Sequence, residues 1–201
     1  MTKILQIGIT GGIGTGKSLV CRIFAQLGIP IYDADSRAKW LMNHDPTLKE
    51  AIKAQFGQEA YSATGALNRA YLASIVFGQQ EKIEVLNQLV HPAVAKDYTQ
   101  WVQMQQAPYL LKEAALMIES GSYRSLDQLI VVSAPLDLRI ARIRRRDPQR
   151  SEEEIRGIIS KQMPEEEKLS YAQVVLPNDE KQALLPEALR CHEHWRQGLL
   201  F

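Results

Sequence analysis

Residues 11–18, GGIGTGKS, satisfy G-x-x-x-x-G-K-[ST]. They fall between an apolar run, Ile4 to Ile9, and a segment carrying Val20, Ile23, Phe24 and Leu27 at helical spacing. Strand, glycine loop and helix in that order leave few folds open. Gly11, Gly12, Gly14 and Gly16 let the backbone curl until successive N–H groups face one anion, and the helix N-terminus adds the positive end of its dipole. Lys17 is then placed to reach the β- and γ-phosphates of a nucleoside triphosphate, and the Ser18 hydroxyl to ligate magnesium. Gly12, Ile13, Gly14, Thr15, Gly16, Lys17 and Ser18 thus form the candidate ATP-binding set, with Ser18 the candidate metal ligand. No G-x-G-x-x-G reads through Gly8 to Ser18, which argues against a dinucleotide fold. No N-K-x-D or T-K-x-D stands near the last strand signals, so adenine is favoured over guanine.

Gly28 stops the first helix in the manner of a C-terminal cap, and Ile29 to Tyr32 is β-prone, so the opening of the chain reads as a βαβ unit. From Ser36 to about Gln106 helical patterns dominate: a segment at Ala38 to Met42, then Leu67 to Phe77, Glu81 to Leu89 and Ala93 to Met104. Strand signals return at Tyr109 to Leu111, with an apolar run that could extend the strand to Ile118, and again at Leu129 to Ser133 and Gln173 to Leu176. A helix is expected from Leu136 to Asp147, another after the capping-box pair Ser151 and Glu154, and an amphipathic one around Leu184 to Trp195. The expectation is an α/β fold with a three-layer parallel-sheet core of the phosphate-loop kinase kind. Residues 1–35 and 107–201 would make the core, about 36–106 a helical acceptor-binding insertion, and about 139–165 a lid helix pair.

A chain of 201 residues that is 45% hydrophobic can bury the core of one such domain. Its 24 basic and 23 acidic side chains leave a net charge of +1, too little to hold nucleic acid or an anionic membrane by overall field, so anion binding has to be local. Cys21 and Cys191 stand far apart in no metal spacing, and the N-terminal apolar run is too short for a signal segment. The expectation is a cytoplasmic protein with reduced thiols and no membrane partner.

The stretch IPIYDAD, residues 29–35, places two carboxylates at the end of the second strand. Parallel strands joined by a right-handed crossover end on the same edge of the sheet, so Asp33 emerges on the edge that holds the glycine loop. A carboxylate there can orient an acceptor hydroxyl in line with a γ-phosphorus and take its proton. Both acids could instead cap a helix starting near Ser36, a reading that suits Asp35 as well as any chemical one. In LDLRIARIRRRDPQR, Arg139, Arg142 and Arg146 share one helical stripe beside the apolar stripe of Leu136, Ile140 and Ile143. Arg142 and Arg146 are candidates to neutralise charge on the transferring group, with Lys17 and Asp33 as its other catalytic partners, whereas Arg144 and Arg145 fit a solvated helix end.

In order and spacing, GITGGIGTGKS, LG-x-P-x-x-DAD, FG, G-x-L-x-R, LNQLVHP and R-x-x-x-RD resemble the dephospho-CoA kinase family from about Ile7 to Asn178. That family is similar in core fold to nucleoside monophosphate kinases and moves the ATP γ-phosphate to the ribose 3′-hydroxyl of dephospho-CoA, completing coenzyme A. The resemblance implies that Asp33 is the base facing that hydroxyl, that Arg69 and His91 lie in the acceptor-binding region, and that Asn178 lies by the adenine. Arg142 and Arg146 would face nucleotide phosphates. Glu119, in ALMIE, matches the glutamate ending the family's PLL-x-E strand. Asn68, Ala115, Arg139 and Gln173 stand where the family usually has Asp, Pro, Gln and Asp. Neither Glu113 nor Glu119 reads as a metal ligand, and either could pair with a nearby lysine or arginine. The loop and Asp33 leave two other readings open: a kinase for another nucleoside-like or nucleotide-like acceptor, and an ATP-binding regulatory protein.

Overall fold

The computed structural model describes residues 4–201; Met1 to Lys3, part of the N-terminal segment read above, lie outside the described residues. Two compact units make up the chain, one running up to Asp33 and resuming at Gln106, the other Ala34–Gln105.

The first unit holds a five-stranded parallel sheet: β1 Leu5–Thr10, β2 Ile31–Asp33, β3 Tyr109–Glu113, β4 Gln128–Ser133 and β5 Val174–Pro177, in the order β2-β3-β1-β4-β5. Helix α1, Lys17–Gln26, follows β1, and the unit's remaining helices come after β4, as α6 Leu136–Arg146, α7 Glu152–Ser160, α8 Glu165–Leu169 and α9 Leu184–Arg196. The inner strands read as near-continuous apolar runs because both faces of a parallel sheet are covered. On one face Ile7, Ile9, Leu111, Ile130 and Val132 pack with Phe24 of α1 and with Ala188, Cys191 and Trp195 of α9. Trp195 is fully buried, and its indole N–H donates to Gln128 Oε1 at 2.7 Å, so its one polar atom is satisfied inside the core.

The chain leaves β1 with β3 on one side and β4 on the other, which makes the end of β1 the switch point where an open α/β sheet forms its ligand crevice. Register fixes which residues share that edge: Ile9 lies opposite Glu113, and Glu113 opposite Asp33.

The second unit is helical: α2 Ala34–His44, α3 Pro46–Phe56, α4 Arg69–Val76 and α5 Gln80–Gln103. Leu41, Leu48, Ile52, Phe56, Tyr61, Leu72 and Val90 form its core. Arg37 of α2 is paired with Asp97 of α5, its Nε 2.9 Å from Oδ2.

Three expectations are corrected. The two helices expected on either side of Pro92 are one helix of 24 residues, so His91 lies inside it rather than at its end. A proline inside a helix costs about 3 kcal/mol. Here Leu86, Leu89 and Val90 before it and Ala93 and Val94 after it join the same core and hold the helix through. The apolar run to Ile118 does not extend β3, which ends at Glu113. Ala114 still donates to the Ile9 carbonyl, after which the chain turns, burying Met117 and Ile118 as the turn packs. Asp35 is not a cap of a helix beginning at Ser36. Helix α2 starts at Ala34, so Asp35 lies in its first turn, where a carboxylate meets the positive end of the dipole. The capping box of Ser151 and Glu154 is present at the start of α7. Among the described residues no helix is long and apolar enough to cross a membrane.

Two predictions follow from the core. Trp195→Ala removes the largest buried side chain together with its hydrogen bond, and is expected to cost about 3–5 kcal/mol, read as a lowered urea midpoint at unchanged slope. Burial pushes the Cys191 thiol up to about 11, and burial followed by the Glu113 charge pushes Cys21 up to about 12. At pH 8 neither thiol carries much thiolate, so the native protein should leave a disulfide reagent unreacted, and unfolding should release both cysteines to it.

Candidate functional site

The loop between β1 and α1 is shaped by contacts behind it. Thr15 is fully buried, and its hydroxyl donates to the Gly12 carbonyl at 2.9 Å, locking the turn from within. Asn178, which directly follows β5, donates its side-chain amide to the Thr15 carbonyl at 2.8 Å. That approach is why Gly16 is glycine: its φ is 98°, and a Cβ there would lie 2.2 Å from Asn178 Nδ2. Lys17 opens α1 and donates its ammonium to the carbonyls of Gly11 at 2.8 Å and Gly12 at 3.3 Å, which draws it back over the loop.

In front of the loop lies a cavity of about 250 Å³. Ile13, Gly14, Gly16, Lys17 and Ser18 line it from the loop, Leu19 and Arg22 from α1, and Arg142, Ile143 and Arg146 from α6. Five of the seven loop residues, all but Gly12 and Thr15, and two of the three striped arginines therefore meet at one cavity. Arg142 is braced by oxygens, donating to the Asn178 carbonyl at 3.0 Å, to its Oδ1 at 3.4 Å and to Glu180 at 3.1 Å. Arg146 is exposed and pairs with Asp147 at 3.0 Å. Arg139 has a different fate: it is 6% exposed and donates to the Ile13 carbonyl at 2.9 Å and to Glu165 at 3.1 Å. Burial raises the Glu165 carboxyl above its usual range, against the pull of the Arg139 charge.

Asp33 ends β2 with β3 between it and β1. Two strand spacings separate its Cα from that of Ile9, on the order of 10 Å. Cys21, one turn beyond Lys17 on α1, marks where the charges converge: its thiol is bonded to Glu113 and feels both Lys17 and Asp33. Glu119 is engaged by a lysine, with Lys168 Nζ at 2.6 Å and only 1% of the Lys168 side chain exposed. Asn178 is committed to Thr15 and Arg142 through its side chain.

Arg69 and His91 belong to the helical unit, and both are exposed. Asn68 caps the helix that Arg69 begins, its Oδ1 accepting from Tyr71 N at 3.2 Å, so an amide serves there where a carboxylate is usual. Gln173 in the same way accepts from Leu129 N at 2.8 Å. Residues that the sequence reading did not single out are Arg22 and Leu19 in the cavity wall, and Gln162 and Glu165 behind the loop. Arg22 had a signal, since it stands four residues after Ser18 on the same helix face. Gln162 and Glu165 had none, because their partners are 149 and 26 residues away in sequence.

Ser18 lines the cavity beside Lys17, while no cluster of three His, Cys, Asp or Glu side chains suited to a metal occurs among the described residues. That donor set fits magnesium arriving on a triphosphate, since such an ion keeps waters and phosphate oxygens as ligands and asks little of the protein.

The sequence matches the profile of the dephospho-CoA kinase family over residues 5–183. It is 36% identical over 190 residues to the dephospho-CoA kinase of Porphyromonas gingivalis, covering 94% of each chain. Among solved structures it is similar to a Thermus thermophilus protein, with a TM-score of 0.83 at 33% identity over 96% of this chain and 97% of that one. It also resembles the dephospho-CoA kinase of Campylobacter jejuni, with a TM-score of 0.70 at 26% identity over 96% and 98%. With the phosphate loop at the switch point, the arginines of α6 facing it and relatives matched along nearly their whole length, this chain belongs to the dephospho-CoA kinase family.

Proposed function

We propose that the protein transfers the γ-phosphoryl group of ATP to the ribose 3′-hydroxyl of dephospho-CoA, giving coenzyme A and ADP. The observation that carries this reading is the cavity in which Gly14, Gly16, Lys17 and Ser18 face Arg142 and Arg146, in a chain matched to this family over residues 5–183.

In this reading the amides of the loop and the first turn of α1 bind the β- and γ-phosphates. Lys17, held on two loop carbonyls, swings from them to phosphate oxygens as the anion arrives. Arg142 starts from a braced position, so little of its freedom is lost when it meets the transferring group; Arg146, on the solvent side, closes on the nucleotide afterwards. Magnesium, when bound, would supply charge neutralisation, and the Ser18 hydroxyl would be the side chain to hold it. Asp33 accepts the proton of the 3′-hydroxyl as the new P–O bond forms and the bond to the β-phosphate oxygen breaks, which leaves ADP. In the helical unit we assign Arg69 and His91 to the acceptor, where a guanidinium and an imidazole suit its phosphates. Two buried thiols fit a reducing compartment that is rich in ATP, and we place the protein in the cytoplasm.

ADP release tests the reading directly. Added dephospho-CoA should elicit it, whereas nucleosides and nucleoside monophosphates should not; an equal response to one of the latter would reassign the acceptor. Asp33→Asn keeps the shape and loses the proton acceptor, so turnover is expected to fall about 10²- to 10⁴-fold with ATP affinity preserved. Near-normal turnover in that variant would remove Asp33 as the base.

A further inference from the structure

Ile13 occupies a variable position of the phosphate-loop motif, yet three of its groups are held by the segment that follows β4. Its N–H donates to Gln162 Oε1 at 2.9 Å, from the turn between α7 and α8. Its carbonyl accepts from Arg139 Nε at 2.9 Å, and its side chain packs against the cluster of Ile140, Ile143 and Ile155. Arg139 is fixed in turn by Glu165 at the start of α8, and it fills the space in front of Gly12, where a Cβ would lie 2.3 Å from Nη2.

A trans peptide points its C=O and the following N–H in opposite directions. Holding the Ile13 carbonyl on Arg139 therefore aims the Gly14 N–H away from α6's guanidinium. Holding the Ile13 N–H on Gln162 turns the Gly12 carbonyl the other way, and that carbonyl is where Thr15 and Lys17 donate. Two consecutive peptides of the loop thus have their orientation set from outside it. Without those two contacts the peptides could rotate, because glycines on both sides of Ile13 resist rotation little.

We propose that Gln162 and Arg139 are positioning residues for phosphate binding: they clamp the Ile13 peptides from the α6–α8 segment, so that the Gly14 N–H is presented to the triphosphate before ATP arrives. Movement of that segment and the anion affinity of the loop are then one coupled equilibrium. The proposal rests on the reading of the loop as the ATP site, and amide exchange in nucleotide-free protein tests the clamp without ATP, so the two can fail separately.

Gln162→Met keeps the length of the side chain and removes the acceptor. Its Ile13 amide, followed by NMR, should exchange about five-fold faster or more, the scale of one net hydrogen bond, and KM for ATP should rise by a similar factor. KM for the acceptor and the melting temperature should hold. Gln162→Glu, which restores an acceptor oxygen, should return the Ile13 amide to slow exchange. Should Gln162→Met fold poorly, Gln162→Asn draws the carboxamide back by one methylene and is expected to give the same signature. Unchanged Ile13 exchange with unchanged KM for ATP would overturn the clamp. So would parallel losses in both KM values and in melting temperature, which would make Gln162 a general structural residue.

Discussion

The placement of β1 governs the rest of the molecule. It is hydrogen-bonded along both edges, to β3 and β4, and both neighbours run parallel to it, so its carboxyl end is held from two sides at the point where the chain reverses its winding. A loop of glycines can keep its amides turned toward an anion only if its outward polar groups find partners elsewhere. Thr15, Asn178, Arg139 and Gln162 supply them, from the loop itself, from the end of β5, from α6 and from the turn after α7. Among the described residues no buried side-chain nitrogen or oxygen lacks a partner.

The arginines of α6 show how one helical stripe divides by burial. Arg139 is buried and is consumed by the loop backbone and Glu165; Arg142, one turn on, is braced but reaches the cavity; Arg146, another turn on, is largely in solvent. Taking a guanidinium out of water is costly unless its donors are satisfied, and the buried Arg139 has the Ile13 carbonyl and Glu165 to satisfy its own. The outer two, each paired with one carboxylate, both line the cavity in front of the loop.

The loop, the strands of the sheet, the capping box of α7 and the place of Asp33 at the end of β2 were legible because each is a local pattern: a motif, an apolar run, a spacing of three. What stayed hidden was set by partners distant in sequence. Arg139 and Arg142 have the same sequence neighbourhood, and nothing in it says that the former will meet Ile13, 126 residues away. Helix α5 continues through Pro92 because a core gathered from α2, α3 and α4 lies along both halves of it, a term that local propensity does not contain. The run from Ala114 to Ile118 looks like strand because it is apolar, although the backbone has already turned, burying Ala114, Met117 and Ile118 and leaving Leu116 exposed.

The strand order also explains why the proposed base comes from β2 rather than from the strand next to β1. Between loop and base must fit a phosphoryl group and a hydroxyl oxygen in line, and a carboxylate on the adjacent strand, about 5 Å away between backbones, would occupy that space itself. The strand that does stand there, β3, ends in Glu113, whose carboxylate is bonded to the Cys21 thiol on α1. Cys21 thereby ties one acid to the helix that carries Lys17, while the other, Asp33, ends the strand farther out. Register thus sets two carboxylates on neighbouring strand ends, and the buried Cys21 thiol distinguishes their surroundings by bonding to Glu113.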